Sequence, residues 1–135
     1  FGITPDHVTL WGTGTPLREF LWSEDMADAS VHVLLNVDFK DTYTTGSREV
    51  RNCHINVGTG KEVSIRDVAE KIKNEIGFQG ELRWDTSKPD GTLRKLTDVS
   101  KLHALGWHHK IDIDEGIHRL YDWYLKGICI NHQTE

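Results

Sequence analysis

No apolar run in these 135 residues reaches the roughly 18 consecutive residues that a membrane helix needs, so no membrane partner is expected. A basic surplus is missing as well. Sixteen Lys and Arg stand against 21 Asp and Glu, for a formal net charge of -5, whereas a nucleic-acid surface leaves a basic face. Phosphate recognition here has to be local and carried by a few cations, and a small anion suits the chain better than a polymer. Cysteine is scarce too: Cys53 and Cys129 are too few for a disulfide framework, which suggests a reducing compartment and makes the cytoplasm the default. The eight histidines are scattered, and the one close pair, His108 and His109, would point to different faces of a regular element, so no metal-ligand spacing is present. No nucleophile elbow and no Cys-His signature occurs.

The remaining composition is that of an ordinary globular protein, and the length is that of one domain with a single core. The opening FGITPDHVTLW has neither a basic n-region nor an apolar h-region, so no signal peptide is expected. It reads as though cut from something longer. The polar residues at the other end, 127–135, are expected to fray.

Strand and helix signals alternate along the chain. VTLW, residues 8–11, is a short apolar run stopped by Gly12 and predicts a strand. Ser23 is placed as an N-cap with Glu24 and Asp25 in the first turn, opening a helix to about Val37 that buries Met26, Ala29, Val33 and Val37. Asp25 and Asp28 fall on its solvated face. Residues 40–52 are polar and aperiodic, a surface loop. Residues 53–57 predict a second strand. Ser64 and Asp67 form a capping box for a helix whose apolar stripe is Ile65, Val68, Ala69, Ile72 and Ile76, closed by Gly77. Residues 81–84 predict a third strand and residues 100–105 a short helix ending at Gly106. A last helix starts at Asp112, with Glu115 completing another capping box, and buries Ile117, Leu120, Tyr121, Tyr124 and Leu125 before Gly127. Trp107 and Trp123 read as core. The order β-α-β-α-β-α-α makes the chain α/β, a small sheet with flanking helices.

Two glycine-rich stretches invite comparison with phosphate loops. GTGTPL has Leu17 where a dinucleotide loop needs its third glycine, and GTGKEV has Val63 there. Nor is GTGK a Walker A loop, because Ile55 stands at the first glycine position and Glu62 follows Lys61. Both read locally as strand-ending turns. Arg18, just past the Thr15-Pro16 turn, is either a surface arginine paired with Glu19 or a guanidinium placed for bidentate phosphate binding. In SKPDGTLRK, residues 87–95, the cations Lys88, Arg94 and Lys95 surround a Pro-Asp-Gly turn. Asp90 there could accept from vicinal hydroxyls or simply stabilise the turn. Trp11 stands at the mouth of the first turn.

WGTGTPLREFLWSEDMADAS, HINVGTGKEVSIRDVAEKI and DTSKPDGTLRKLTDVSKLHALGW together resemble the C-terminal part of the GDP-L-fucose synthase family, within the extended short-chain dehydrogenase/reductases. The resemblance runs from about Val8 to Leu125. It implies a single substrate-binding lobe over residues 1–135, without the Rossmann lobe, in an enzyme that epimerises C3 and C5 of GDP-4-keto-6-deoxymannose and then reduces C4. Trp11, Arg18 and Asp90 are the GDP-sugar contacts it implies, with Lys88 and Arg94 added only for their charge and nearness to Asp90. NADPH would be bound by the other lobe and none by this chain. The Tyr-x-x-x-Lys pair used for hydride transfer has no match, since Tyr43, Tyr121 and Tyr124 are followed four residues later by Ser47, Leu125 and Ile128. No catalytic residue is therefore expected here, Cys53 included. The whole enzyme is expected to be a homodimer. The alternatives are the corresponding lobe of another nucleotide-sugar epimerase or dehydratase, and a non-enzymatic module that binds a partner protein.

Overall fold

The computed structural model describes residues 5–43 and 49–131. Its order is β1 (His7–Trp11), β2 (Leu17–Arg18), α1 (Ser23–Asn36), a 3-10 turn (Phe39–Thr42), β3 (Val63–Ser64), α2 (Ile65–Glu75), β4 (Glu81–Asp85), β5 (Arg94–Lys95), α3 (Ser100–Ala104) and α4 (Ile113–Asn131). This is the α/β class expected, with five short strands where three were read. The added strands, β2, β3 and β5, are two residues each, too short to show a period of two.

The chain divides into two compact units. The first, residues 5–18, 62–95 and 113–131, holds every strand. There β1 pairs in parallel with β4, from His7 against Glu81 to Trp11 against Asp85. A second sheet has the order β3-β2-β5, with β2 antiparallel to β3 and parallel to β5. Ser64 caps α2 as expected, its hydroxyl accepting from Asp67 N–H at 3.0 Å. The reciprocal bond of the box is replaced by one from Ser64 Oγ to Asp67 Oδ2 at 2.7 Å. Gly77 closes the helix with φ +67°, and Phe78 N–H reaches back to Lys73 O.

The second unit, residues 19–43, 49–61 and 96–112, contains α1, the 3-10 turn and α3. Its core is Ala29, Leu102 and Trp107, with Leu21, Val33, Ile55 and Val57 packed around them. Several expectations are corrected here. Trp22 rather than Ser23 is the N-cap of α1, and no side chain caps that end. Met26 is exposed, and Asp25 takes the buried place beside Ala29. Its Oδ2 accepts from the N–H groups of Lys110 and Ile111 at 2.8 and 2.9 Å. Asp28 likewise accepts from Trp107 Nε1 and Lys110 Nζ, so neither aspartate is merely solvated. Residues 53–57 have no ladder partner among the described residues. Lys101 Nζ donates to His54 O instead, and the Asn56 side-chain amide donates outward to Asp98 O.

In α4, Asp112 accepts from Lys61 and His109 rather than from the helix's own N–H groups, and Glu115 turns to Arg119. That helix runs past Gly127 to Asn131 and leaves Leu120, Trp123, Tyr124 and Leu125 exposed, against the expected burial. Residues 132–135 of the expected frayed tail lie outside the described residues, as does part of the 40–52 loop.

Candidate functional site

Because β1 and β4 run parallel with Trp11 level with Asp85, both strands leave the ladder at the same height and their following turns lie side by side. Asp85 O ties the two, accepting from Gly12 N–H at 2.9 Å and from Lys88 N–H at 3.2 Å. The crevice beyond the carboxyl ends of parallel strands is where open α/β sheets place ligands. Here the first turn carries Trp11 and the second carries Lys88 and Asp90.

The turns approach so closely that only glycine fits the first. Gly12 and Gly14 have φ of +83° and +76°. A Cβ on Gly12 would lie 2.3 Å from Asp90 Oδ1, and one on Gly14 would lie 2.6 Å from the Trp84 ring. Asp90 is bound by Thr13 through both oxygens, N–H to Oδ1 at 2.8 Å and hydroxyl to Oδ2 at 2.6 Å. Those two donors, the hydroxyl first, hold its carboxyl below the ordinary range.

The chain then enters β2, which sets Arg18 between Val63 of β3 and Lys95 of β5. Its Nη1 donates to Leu17 O, and among the described residues it has no carboxylate partner. Of the two readings of Arg18, the pairing with Glu19 does not form. Glu19 instead accepts from Thr59, Gly60 and Thr97 N–H. Burial pushes its carboxyl up, but the bonds from Thr97, Gly60 and Thr59 outweigh this and hold it low. Gly91 leaves room for the Arg18 guanidinium, since a Cβ there would sit 3.2 Å from Nη2.

Trp11, Arg18, Ile65, Pro89, Asp90 and Gly91 line one recess of about 100 Å³. Complete small-molecule sites run to roughly 300–1,000 Å³, so this recess has room for no more than one group of such a ligand. A cavity of about 600 Å³ elsewhere in the same unit, between Ile76, Phe78, Gln79, Tyr121 and Tyr124, has no charged group in its lining. Lys88 stands 5.6 Å over the Trp11 ring, next to the recess. Arg94 does not join it, because its Nε is paired with Glu62 at 2.8 Å. Sequence reasoning missed Thr13, Glu62 and Arg66. A threonine between two turn glycines is the only local signal any of them gives.

A nucleotide pyrophosphate can also be held by free N–H groups at a helix start. The start of α2 offers none: Ile65 N–H goes to Pro16 O, Arg66 N–H to Gly14 O, and Asp67 N–H to Ser64 Oγ. The first turn of α2 therefore has no free N–H to offer a phosphate, and the cation that lines the recess is Arg18.

The architecture is shared with solved extended short-chain dehydrogenase/reductases, over about a third of their chains. Within that class the chain is similar to the GDP-L-fucose synthases. It is 48% identical over 124 residues to GDP-L-fucose synthase 1 of Arabidopsis thaliana, covering 92% of this chain and 35% of that one. A GDP-6-OMe-4-keto-L-xylo-heptose reductase from C. jejuni superposes with a TM-score of 0.83 at 46% identity, covering 90% of this chain and 34% of its own. An NADP-bound GDP-L-fucose synthetase from Naegleria fowleri gives 0.71 at 27% identity, with 95% and 36% covered. The NAD dependent epimerase/dehydratase family model matches residues 4–58. The chain spans about a third of the length of the curated relatives it matches. Among the described residues, no helix is long and apolar enough to cross a membrane.

Proposed function

We propose that this chain is the GDP-sugar-binding, C-terminal lobe of a GDP-L-fucose synthase. The whole enzyme converts GDP-4-keto-6-deoxy-D-mannose to GDP-L-fucose by epimerisation at C3 and C5 and NADPH-dependent reduction at C4. The observation that carries this reading is the convergence of Trp11, Arg18 and Asp90, drawn from two distant motifs, on one recess. Arg18, free of any carboxylate, presents a planar fork to the pyrophosphate. Trp11 gives an apolar wall, 74% exposed before a ligand covers it. Asp90 accepts from a sugar hydroxyl, and Lys88 adds a cation above Trp11. Arg94 serves β5 and Glu62 rather than the ligand.

NADPH and the hydride-transfer and epimerisation residues belong to a part of the enzyme outside this chain. The lobe alone is catalytically silent, and the enzyme is a cytoplasmic homodimer. A second reading, a GDP-sugar 4-reductase acting on another sugar, is favoured by one observation: identity to the C. jejuni heptose reductase is nearly that to the fucose synthase.

Calorimetric titration tests the lobe. GDP-mannose should bind, UDP-glucose should bind less well, and Arg18→Ala should weaken GDP-mannose by about tenfold or more. Mixed with GDP-4-keto-6-deoxymannose, the chain should leave NADPH unoxidised, and turnover by this chain alone would sink the claim of a silent lobe. Absence of any nucleotide-sugar binding, with Arg18→Ala and Asp90→Ala both without effect on a protein partner, would favour the non-enzymatic module instead.

A further inference from the structure

Thr13 lies between the two left-handed glycines and joins the two turns. A carboxylate only accepts, so the single hydroxyl proton of Thr13 is committed to Asp90 Oδ2 at 2.6 Å. The N–H of Thr15 at 3.2 Å and its hydroxyl at 2.7 Å must then donate to Thr13 Oγ1. Arg66, 4.5 Å over the Trp84 ring, donates to the Thr13 carbonyl. Every polar atom of Thr13 is thus engaged within the site.

Asp90 is not saturated by this. Each carboxylate oxygen has two lone-pair directions, and Thr13 takes one on each, which leaves acceptor capacity for ligand hydroxyls. The cations nearby are Arg18 in the same recess, Lys88 over Trp11 and Arg66 at the Thr13 carbonyl. Among the described residues none of them bonds to Asp90, so its orientation rests on Thr13.

We propose that Thr13 is a positioning residue: its N–H and hydroxyl fix the Asp90 carboxylate relative to Trp11 and Arg18, so that a ligand hydroxyl meets an acceptor already aimed. The inference rests on the GDP-sugar reading above and names the residue that pre-orders that site. Binding gains when such an acceptor needs no ordering of its own.

The test compares the unsubstituted chain with Thr13→Val and Thr13→Ser. One readout is the titration of the Asp90 carboxyl carbon by NMR without ligand. The other is calorimetric affinity for GDP and for GDP-mannose. In the unsubstituted chain Asp90 should titrate below the ordinary aspartate range, a result that needs no variant to fold. Thr13→Val should move it back toward that range and weaken GDP-mannose by about tenfold, and Thr13→Ser should restore both. Weakening of GDP-mannose alone places the hydroxyl on the hexose, and weakening of GDP as well places it on the ribose. An Asp90 that titrates normally in the unsubstituted chain, or unchanged in Thr13→Val, overturns the inference. So does a Thr13→Ser variant as weak as Thr13→Val. If the unsubstituted chain binds neither ligand, the GDP-sugar reading falls and the titration still decides whether Thr13 holds Asp90.

Discussion

Asp25 is 3% exposed, and the backbone N–H groups of Lys110 and Ile111 both donate to one of its oxygens. Two part-buried donors depend on one buried carboxylate, so its loss takes the partner from both. Asp25→Ala should therefore cost about 2–3 kcal/mol, and Asp25→Asn, which keeps one acceptor oxygen, should cost less. Denaturant unfolding measures both, and equal stability of all three chains would mean that solvent serves those N–H groups. The sequence points the wrong way here. An aspartate in the first turn, three residues before another, looks like a solvated dipole partner. Apolar periodicity cannot flag a carboxylate whose partners lie 85 positions away. The same blindness hides Glu19, whose three N–H donors come from two distant loops. Trp11, Arg18 and Asp90 could be singled out together only through the motif resemblance, and the structure shows that they line one recess.

Helix α2 was almost fully legible because its ends carry local chemistry: Ser64 caps it and Gly77 ends it. Its side-chain burial was less so, for Ile72 and Ile76 stay exposed. What joins it to α4 includes two ion pairs, Lys71 to Asp114 at 2.6 Å and Glu75 to His118 at 2.7 Å. The bond from Glu75, with Asp122 and Glu115 beside it, raises the His118 pKa. A raised folded pKa adds stability that is complete below the ordinary histidine value of about 6.5 and disappears as pH rises through the folded value. The pair should thus support α2 against α4 in mild acid and stop doing so once pH passes the raised folded value. An NMR titration should find His118 above the ordinary value, and Glu75→Gln should bring it down. His118→Gln should flatten that limb of the stability profile, while a His118 titrating at or below the ordinary value would remove the basis for it. None of this shows in the sequence, where His118 is one histidine among eight.

At the scale of the whole molecule, the α/β class could be read from the alternation of strand and helix signals, but not the pairing of β1 with β4 that sets the two turns side by side. The three short strands could not, because two residues carry no periodicity, and neither could the division into two units. The overall charge could be read with certainty, and it makes a distinct prediction. With a net charge of -5, the chain as a whole should repel a nucleotide sugar, with attraction left to the few cations around the recess, Arg18, Lys88 and Arg66. Salt screens charges more than about 8–10 Å apart and leaves close contacts less affected. Between about 50 and about 500 mM salt, the weakened Arg18 contact and the relieved long-range repulsion oppose each other, so GDP affinity should change only a few-fold. A protein that binds through a broad basic surface loses about a thousandfold or more over a smaller range. Arg18→Ala should lower affinity at every salt concentration, by a factor that shrinks modestly as salt weakens the contact it removes. Titration of GDP across that range, with single-stranded RNA as the polymer control, separates the two cases. Steep salt dependence, or RNA competing with GDP, would show that the ligand surface extends well beyond the recess between the two turns.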